Sequence, residues 1–165
     1  MISSAIHPFS LLLRTPTTIG DSRGKVEILY ETDNVVLKRS TSAKGVFRGL
    51  HRQCAPQLQN KIIRVISGRI LDFVADPDDP KGAIWYREIT STEEWVHIAA
   101  NFAHGFYALE NVVFEYFCEG GYNEEAEESY FVADLLQKEL SFGAMYLSAK
   151  DQSGEPLIRE VRPAP

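Results

Sequence analysis

Apolar and polar residues alternate with a period of two through most of this chain, in short runs cut by turn-forming residues. No other feature restricts the fold as much, because a period of two sends successive side chains to opposite faces of a β-strand. Strands are predicted over Val26 to Tyr30, Val35 to Lys38, Val46 to Gln53, Lys61 to Ile66, Arg69 to Ala75, Trp85 to Thr90, Glu94 to Ile98, Phe102 to Leu109 and Val112 to Cys118. Gly20 to Gly24, Ser67-Gly68, Asp76 to Gly82, Glu110-Asn111 and Gly120-Gly121 supply the turns between them. Many short strands at close spacing define a β-sandwich or barrel, and the lack of long βα alternation excludes a doubly wound sheet. Only FVADLLQKEL, Phe131 to Leu140, has helical periodicity. With 165 residues and no repeat or linker, a single domain over 1–165 is expected. Its Pro-, Gly- and charge-rich tail, 152–165, is expected to be loosely ordered.

A net charge of −6 argues against a nucleic-acid or anionic-membrane partner, so an anionic ligand would need a local cluster of cations. No stretch approaches the roughly 20 apolar residues of a membrane span. The opening segment MISSAIHPFSLLLRTP is too short in its apolar run for a secretory leader. Cys54 and Cys118 have no CxxC spacing and fit a reducing compartment. A cytoplasmic location is therefore expected. Neither thiol has a base nearby in sequence to make it a nucleophile.

The segment GVFRGLHRQ, Gly45 to Gln53, places a cation, two glycines and a histidine inside a strand. Strict alternation puts Arg48 and His51 on opposite faces; both point inward only if the backbone bulges, and Gly49 is placed to allow it. A lone histidine in a strand is ordinarily a satisfied core or rim residue, and His104 in NFAHGFYAL reads the same way taken alone. A metal is not expected. Gln53, two residues after His51, is a poor ligand, and two histidines do not make a zinc or iron site.

Read as a two-residue hairpin, Ser67-Gly68 pairs Ile66 with Arg69, Val65 with Ile70 and Ile63 with Asp72. Lys61 and Asp72 then become diagonal neighbours about 7–8 Å apart on an aliphatic, inward face. There a charge is costly unless paired or functional. A two-residue turn at Glu110-Asn111 would set Tyr116 across from Gly105 and leave His104 on the other face; a longer turn or a bulge reverses this.

Together these residues resemble one family, the dTDP-4-dehydrorhamnose 3,5-epimerases, which are nucleotide-sugar epimerases on a metal-free cupin barrel. The similarity runs from Asp21-Ser22-Arg23-Gly24 through STSAKGVFRGLHRQ, PQLQNKIIRVISGRILDFVAD, NFAHGFYAL and FEYFCEGGY to YLSAKD. It implies an all-β fold, a cupin-type double-stranded β-helix (jelly-roll barrel), and no cofactor. By position, His51 resembles the catalytic base, Asp151 its orienting carboxylate, Tyr116 the general acid, and Lys61 a further catalytic residue. Arg23, Arg48 and His104, with Lys150 beside them, resemble the residues that hold the diphosphate. Gln53, Asp72 and Tyr122, the last beside the sugar, join the substrate-binding set. The resemblance also implies a nucleotide-diphosphate sugar as substrate, and a homodimer in which the N-terminal segment pairs with the partner's sheet.

The chain departs from the resemblance in places. Arg52 stands where an aromatic is usual, Phe117 where a basic residue is frequent, and Asn123-Glu124 where Ala-Pro follows Tyr122. The strand NVVLKRSTS lacks an expected amide side chain. The pocket rim is therefore expected to differ. The acidic run EEAEE that follows Asn123-Glu124 reads as a solvated loop. Two other activities remain open: a cupin 3,4-keto-isomerase, and a silent cupin that only binds a sugar nucleotide.

Overall fold

In a computed structural model, residues 16–91 and 94–165 are described. Along them the chain forms β1 (Thr17–Asp21), β2 (Gly24–Glu31), β3 (Val35–Ser42), β4 (Phe47–Gln53), β5 (Asn60–Ser67), β6 (Arg69–Ala75) and β7 (Ile84–Thr90). It continues with β8 (Val96–Ile98), β9 (Ala103–Ala108), β10 (Val112–Glu119), β11 (Glu127–Phe131), the helices α1 (Ala133–Leu140) and α2 (Ala149–Gln152), and the short strands β12 (Glu155–Pro156) and β13 (Val161–Pro163). One sheet has the order β1-β2-β3-β10-β5-β8, the other β12-β11-β4-β9-β6-β7-β13. From β3 to β6, and again from β7 to β11, consecutive strands alternate between the two sheets. That alternation is the jelly-roll, cupin-type fold.

This topology overturns both expected hairpins. β5 pairs with β10 and β8, and β6 pairs with β9 and β7, so Ser67-Gly68 turns the chain from one sheet into the other. Glu110-Asn111 does the same between β9 and β10. The two corners nest: Gly68 has φ +81°, and a Cβ there would lie 2.3 Å from the Asn111 carbonyl oxygen. A two-residue turn carries the same sequence signal whether it closes a hairpin or crosses a sandwich. The face assignments survive even though the pairing does not. Ile63, Val65, Ile70 and Val74 meet in one apolar cluster between the sheets, contributed from opposing walls.

β9 is buried on both faces, in keeping with its mostly apolar sequence, and β4 nearly so despite its polar side chains. Phe47, Leu50 and Phe73 pack away from the interior against Val132, Leu136 and Leu157. α1 is thereby held across the outer face of the second sheet, and fully buried Leu136 contributes on the order of 2 kcal/mol through its burial. The expected helix begins two residues later than its periodicity suggests, because Tyr130 and Phe131 complete β11. The tail also differs from expectation. β12 pairs with β11, β13 pairs with β7, and Leu157 is buried, so apolar contact and ladder bonds order a segment whose composition suggested looseness. The N-terminal segment expected to reach a partner lies largely outside the described residues, and β1 pairs with β2 of its own chain.

Candidate active site

The register of β4 against β9 shifts between Arg48 and His51. Gly49 at φ +113° makes the bulge, and only glycine fits: a Cβ there would lie 2.6 Å from both the Gly105 Cα and the His104 carbonyl oxygen. Gly105 is equally restricted, since its Cβ would meet the Arg48 carbonyl oxygen at 2.5 Å. Two glycines back to back let the strands close, with Phe47 and Leu50 outward and Arg48 and His51 facing one cavity of about 350 Å³.

Asp151 sits opposite the bulge in α2. Ser148 caps that helix, its hydroxyl accepting from Asp151 N–H while the Asp151 carboxylate accepts from Ser148. The carboxylate is 2% exposed, lies 2.8 Å from His51 Nε2, and accepts from the Gly49 N–H at 3.2 Å and from Arg23 Nη1 at 3.1 Å. Burial alone would raise its pKa, but hydrogen bonds from His51, Ser148 and Gly49 outweigh it and hold the carboxyl below the usual range. Nε2 thus lies against the Asp151 carboxylate, while Nδ1 is 3.9 Å from Glu127.

Tyr116 comes from the other sheet, where its Cα is paired with Lys38 of β3 and Ile63 of β5. It lines the same cavity as His51, and burial pushes its phenol well above the ordinary value, so it stays protonated. Lys61 Nζ donates to the His51 carbonyl oxygen at 3.0 Å, and burial pushes its ammonium down. Arg48 donates from Nε to Ser42 Oγ at 3.0 Å, while its buried Nη2 has no hydrogen-bond partner among the described residues. Arg23 and Lys150 complete the cationic lining.

Not every expected site residue joins this group. Asp72 lies on the opposite sheet from Lys61 rather than on an adjacent strand, although its charge still acts on that ammonium. It binds His104 Nε2 at 2.6 Å and lines a separate cavity of about 230 Å³, so it orients His104, which does face the first cavity. Gln53 is buried, its Oε1 accepting from the Asn123 N–H; it lines neither of these two cavities and fixes the loop before β11. Tyr122 is 56% exposed at the mouth rather than in the lining, and its hydroxyl donates to Glu127 at 2.9 Å. Arg52 and Phe117 do not alter the pocket rim at all. Both point to outer faces, Arg52 bonded to Asp78 and Glu128, and Phe117 packed against Trp95.

One residue of the site was missed. Glu127, within the acidic run read as solvated, opens β11 and turns in to 3.9 Å from His51 Nδ1, its other oxygen held by Lys150 and Tyr122. Burial raises its pKa, but those hydrogen bonds leave it below the usual value, so it stays ionised. The available signal was the alternation that resumes at Glu127 after the Asn123-capped turn.

A jelly-roll barrel with a carboxylate-backed imidazole on one wall and a buried phenol on the other defines a cupin-type acid–base enzyme. The chain belongs to the dTDP-4-dehydrorhamnose 3,5-epimerase family, whose model matches residues 10–159. The enzyme of that name from Shigella flexneri is 28% identical over 171 residues, covering 90% of this chain and 91% of its own. The crystal structure of the one from Sulfolobus tokodaii superposes with a TM-score of 0.65 at 29% identity, covering 84% of this chain and 85% of that one. A Legionella pneumophila 3,5-epimerase solved with dTDP-4-keto-L-rhamnose superposes with a TM-score of 0.59 at 29% identity, covering 86% and 84%.

Proposed function

We propose that the protein inverts C3, C5 or both of a nucleotide-diphosphate-linked 4-keto-6-deoxy sugar, most directly a dTDP sugar of the kind bound by its Legionella relative. The observation that carries this reading is the placement of His51, with Asp151 behind it, and Tyr116 on opposing walls of one cavity. Hydrogens beside a ketone are acidic because the resulting carbanion delocalises onto the carbonyl oxygen. His51 removes one from the first face, since a histidine side chain is suited to general-base catalysis. Asp151 fixes the tautomer and stabilises the imidazolium. Lys61 offsets charge on the enolate oxygen, and the aliphatic lining strengthens that interaction. Tyr116 returns a proton from the opposite face, and the stereocentre inverts.

Arg23 and Arg48 suit the diphosphate, because their forked donors match phosphate oxygens and offset an acidic protein. His104 and Lys150 flank the same space. The reading extends to a homodimer that exchanges N-terminal strands. It also places a cytoplasmic enzyme where sugar nucleotides are made; among the described residues no helix is long and apolar enough to cross a membrane.

The test is incubation of dTDP-4-keto-6-deoxyglucose with the protein in deuterated water, followed by NMR at C3 and C5. Deuterium at both carbons is expected of a 3,5-epimerase, and at one carbon of a mono-epimerase. Carbonyl migration to C3 would instead identify a keto-isomerase. No exchange above a His51→Ala control with dTDP, UDP, GDP and CDP sugars would leave a binding protein.

A further inference from the structure

The inward row of β3 is Val36, Lys38, Ser40 and Ser42, in the strand from which an amide side chain expected from the resemblance is missing. The Lys38 Cα is paired with that of Tyr116, and its Nζ lies 5.8 Å from the centre of the ring of Tyr122, whose hydroxyl is bonded to Glu127 beside His51. Among the described residues Lys38 makes no hydrogen bond and no ion pair. It also acts on the charge of Lys61, one of the causes that push that ammonium down. Glu127, whose charge acts on Lys61, is already engaged by Lys150 and Tyr122. Lys38 and Lys61 are two ammonium groups within electrostatic reach of each other, neither of them in an ion pair among the described residues, and such an arrangement is costly unless an anion enters between them.

The geometry points to Lys38 as a specificity-determining contact that takes a phosphate oxygen of the bound nucleoside diphosphate at the Tyr122 end of the cavity. This rests on the reading that the ligand is a sugar nucleotide. It adds a cation on the wall opposite β4, so that the diphosphate is gripped from both sheets. Arg48 acts from one sheet and Lys38 from the other. A charge-assisted hydrogen bond of this kind, lost with the ammonium, weakens binding by about tenfold.

Calorimetric titration of dTDP, inorganic pyrophosphate and thymidine into the wild type, Lys38→Met, Lys38→Arg and the exposed control Lys138→Met tests it, with equal thermal midpoints establishing that the variants fold. Lys38→Met is expected to weaken dTDP and pyrophosphate about tenfold and leave thymidine within about twofold, with Lys38→Arg recovering most of the loss. Unchanged dTDP binding by Lys38→Met overturns the assignment, as does an equal loss for thymidine. If the wild type binds pyrophosphate and not dTDP, and Lys38→Met weakens it, Lys38 remains an anion contact and the nucleotide reading fails. If the wild type binds none of the probes, both fail.

Discussion

His51 Nε2 lies 2.8 Å from a carboxylate oxygen of Asp151, a residue only 2% exposed and brought from the far end of the chain by α2. The same carboxylate receives the N–H of Gly49, the residue whose bulge turns His51 inward. One buried anion thus binds the backbone that presents the imidazole and lies against the imidazole itself.

Asp151→Asn is expected to lower kcat by about 10²–10⁴-fold with a small change in KM, because the amide cannot stabilise an imidazolium. Steady-state kinetics on the 4-keto sugar measure this. Its effect on stability depends on pH in a fixed direction. The folded Asp151 carboxyl sits below its ordinary value of 3.8, so the folded protein holds that proton less tightly than the unfolded chain. The stabilisation is fully present above about pH 4 and is lost as pH falls through the folded value. Urea denaturation should therefore show the gap between wild type and Asp151→Asn closing below about pH 4.

Lys61→Met separates activity from stability. Removing a buried ammonium is expected to raise stability by about 1–2 kcal/mol at neutral pH while abolishing turnover. The folded Lys61 lies below its ordinary value of 10.5, so its penalty is full below the folded value and is relieved as pH rises from there toward about 10.5. Chemical denaturation at pH 7 and pH 10 should show the advantage of the variant shrinking.

Arg52→Ala is expected to cost about 1–3 kcal/mol without changing KM, since Arg52 clamps β11 to the turn bearing Asp78 from outside the barrel. Thermal denaturation reads the first effect and kinetics the second. A raised KM would return Arg52 to the pocket rim.

The sequence was most informative about faces and least about partners. Alternation put Ile63, Val65, Ile70 and Val74 on inward faces, and these residues do meet in the interior. It assigned them to adjacent strands because Ser67-Gly68 carries no sign that it crosses between sheets. The bulge at Gly49 was legible, since a cation and a histidine three residues apart can share a face of a strand only if the strand is interrupted. Arg52 and Phe117 looked like rim changes because they flank inward residues, yet each points the other way. Glu127 was hidden within the acidic run, whose composition is that of a solvated turn. The order of the tail was equally hidden, because β12 and β13 depend on strands far away in sequence.

The central claim is that His51 and Tyr116 serve opposite faces of one carbon, and Tyr116→Phe in deuterated water tests it most directly. With the acid removed and the base intact, His51 can still abstract a proton and return a deuteron to the same face. NMR of the recovered sugar nucleotide is predicted to show deuterium with retained configuration, while His51→Ala shows neither exchange nor inversion. Inversion by Tyr116→Phe at a rate near that of the wild type would contradict the account.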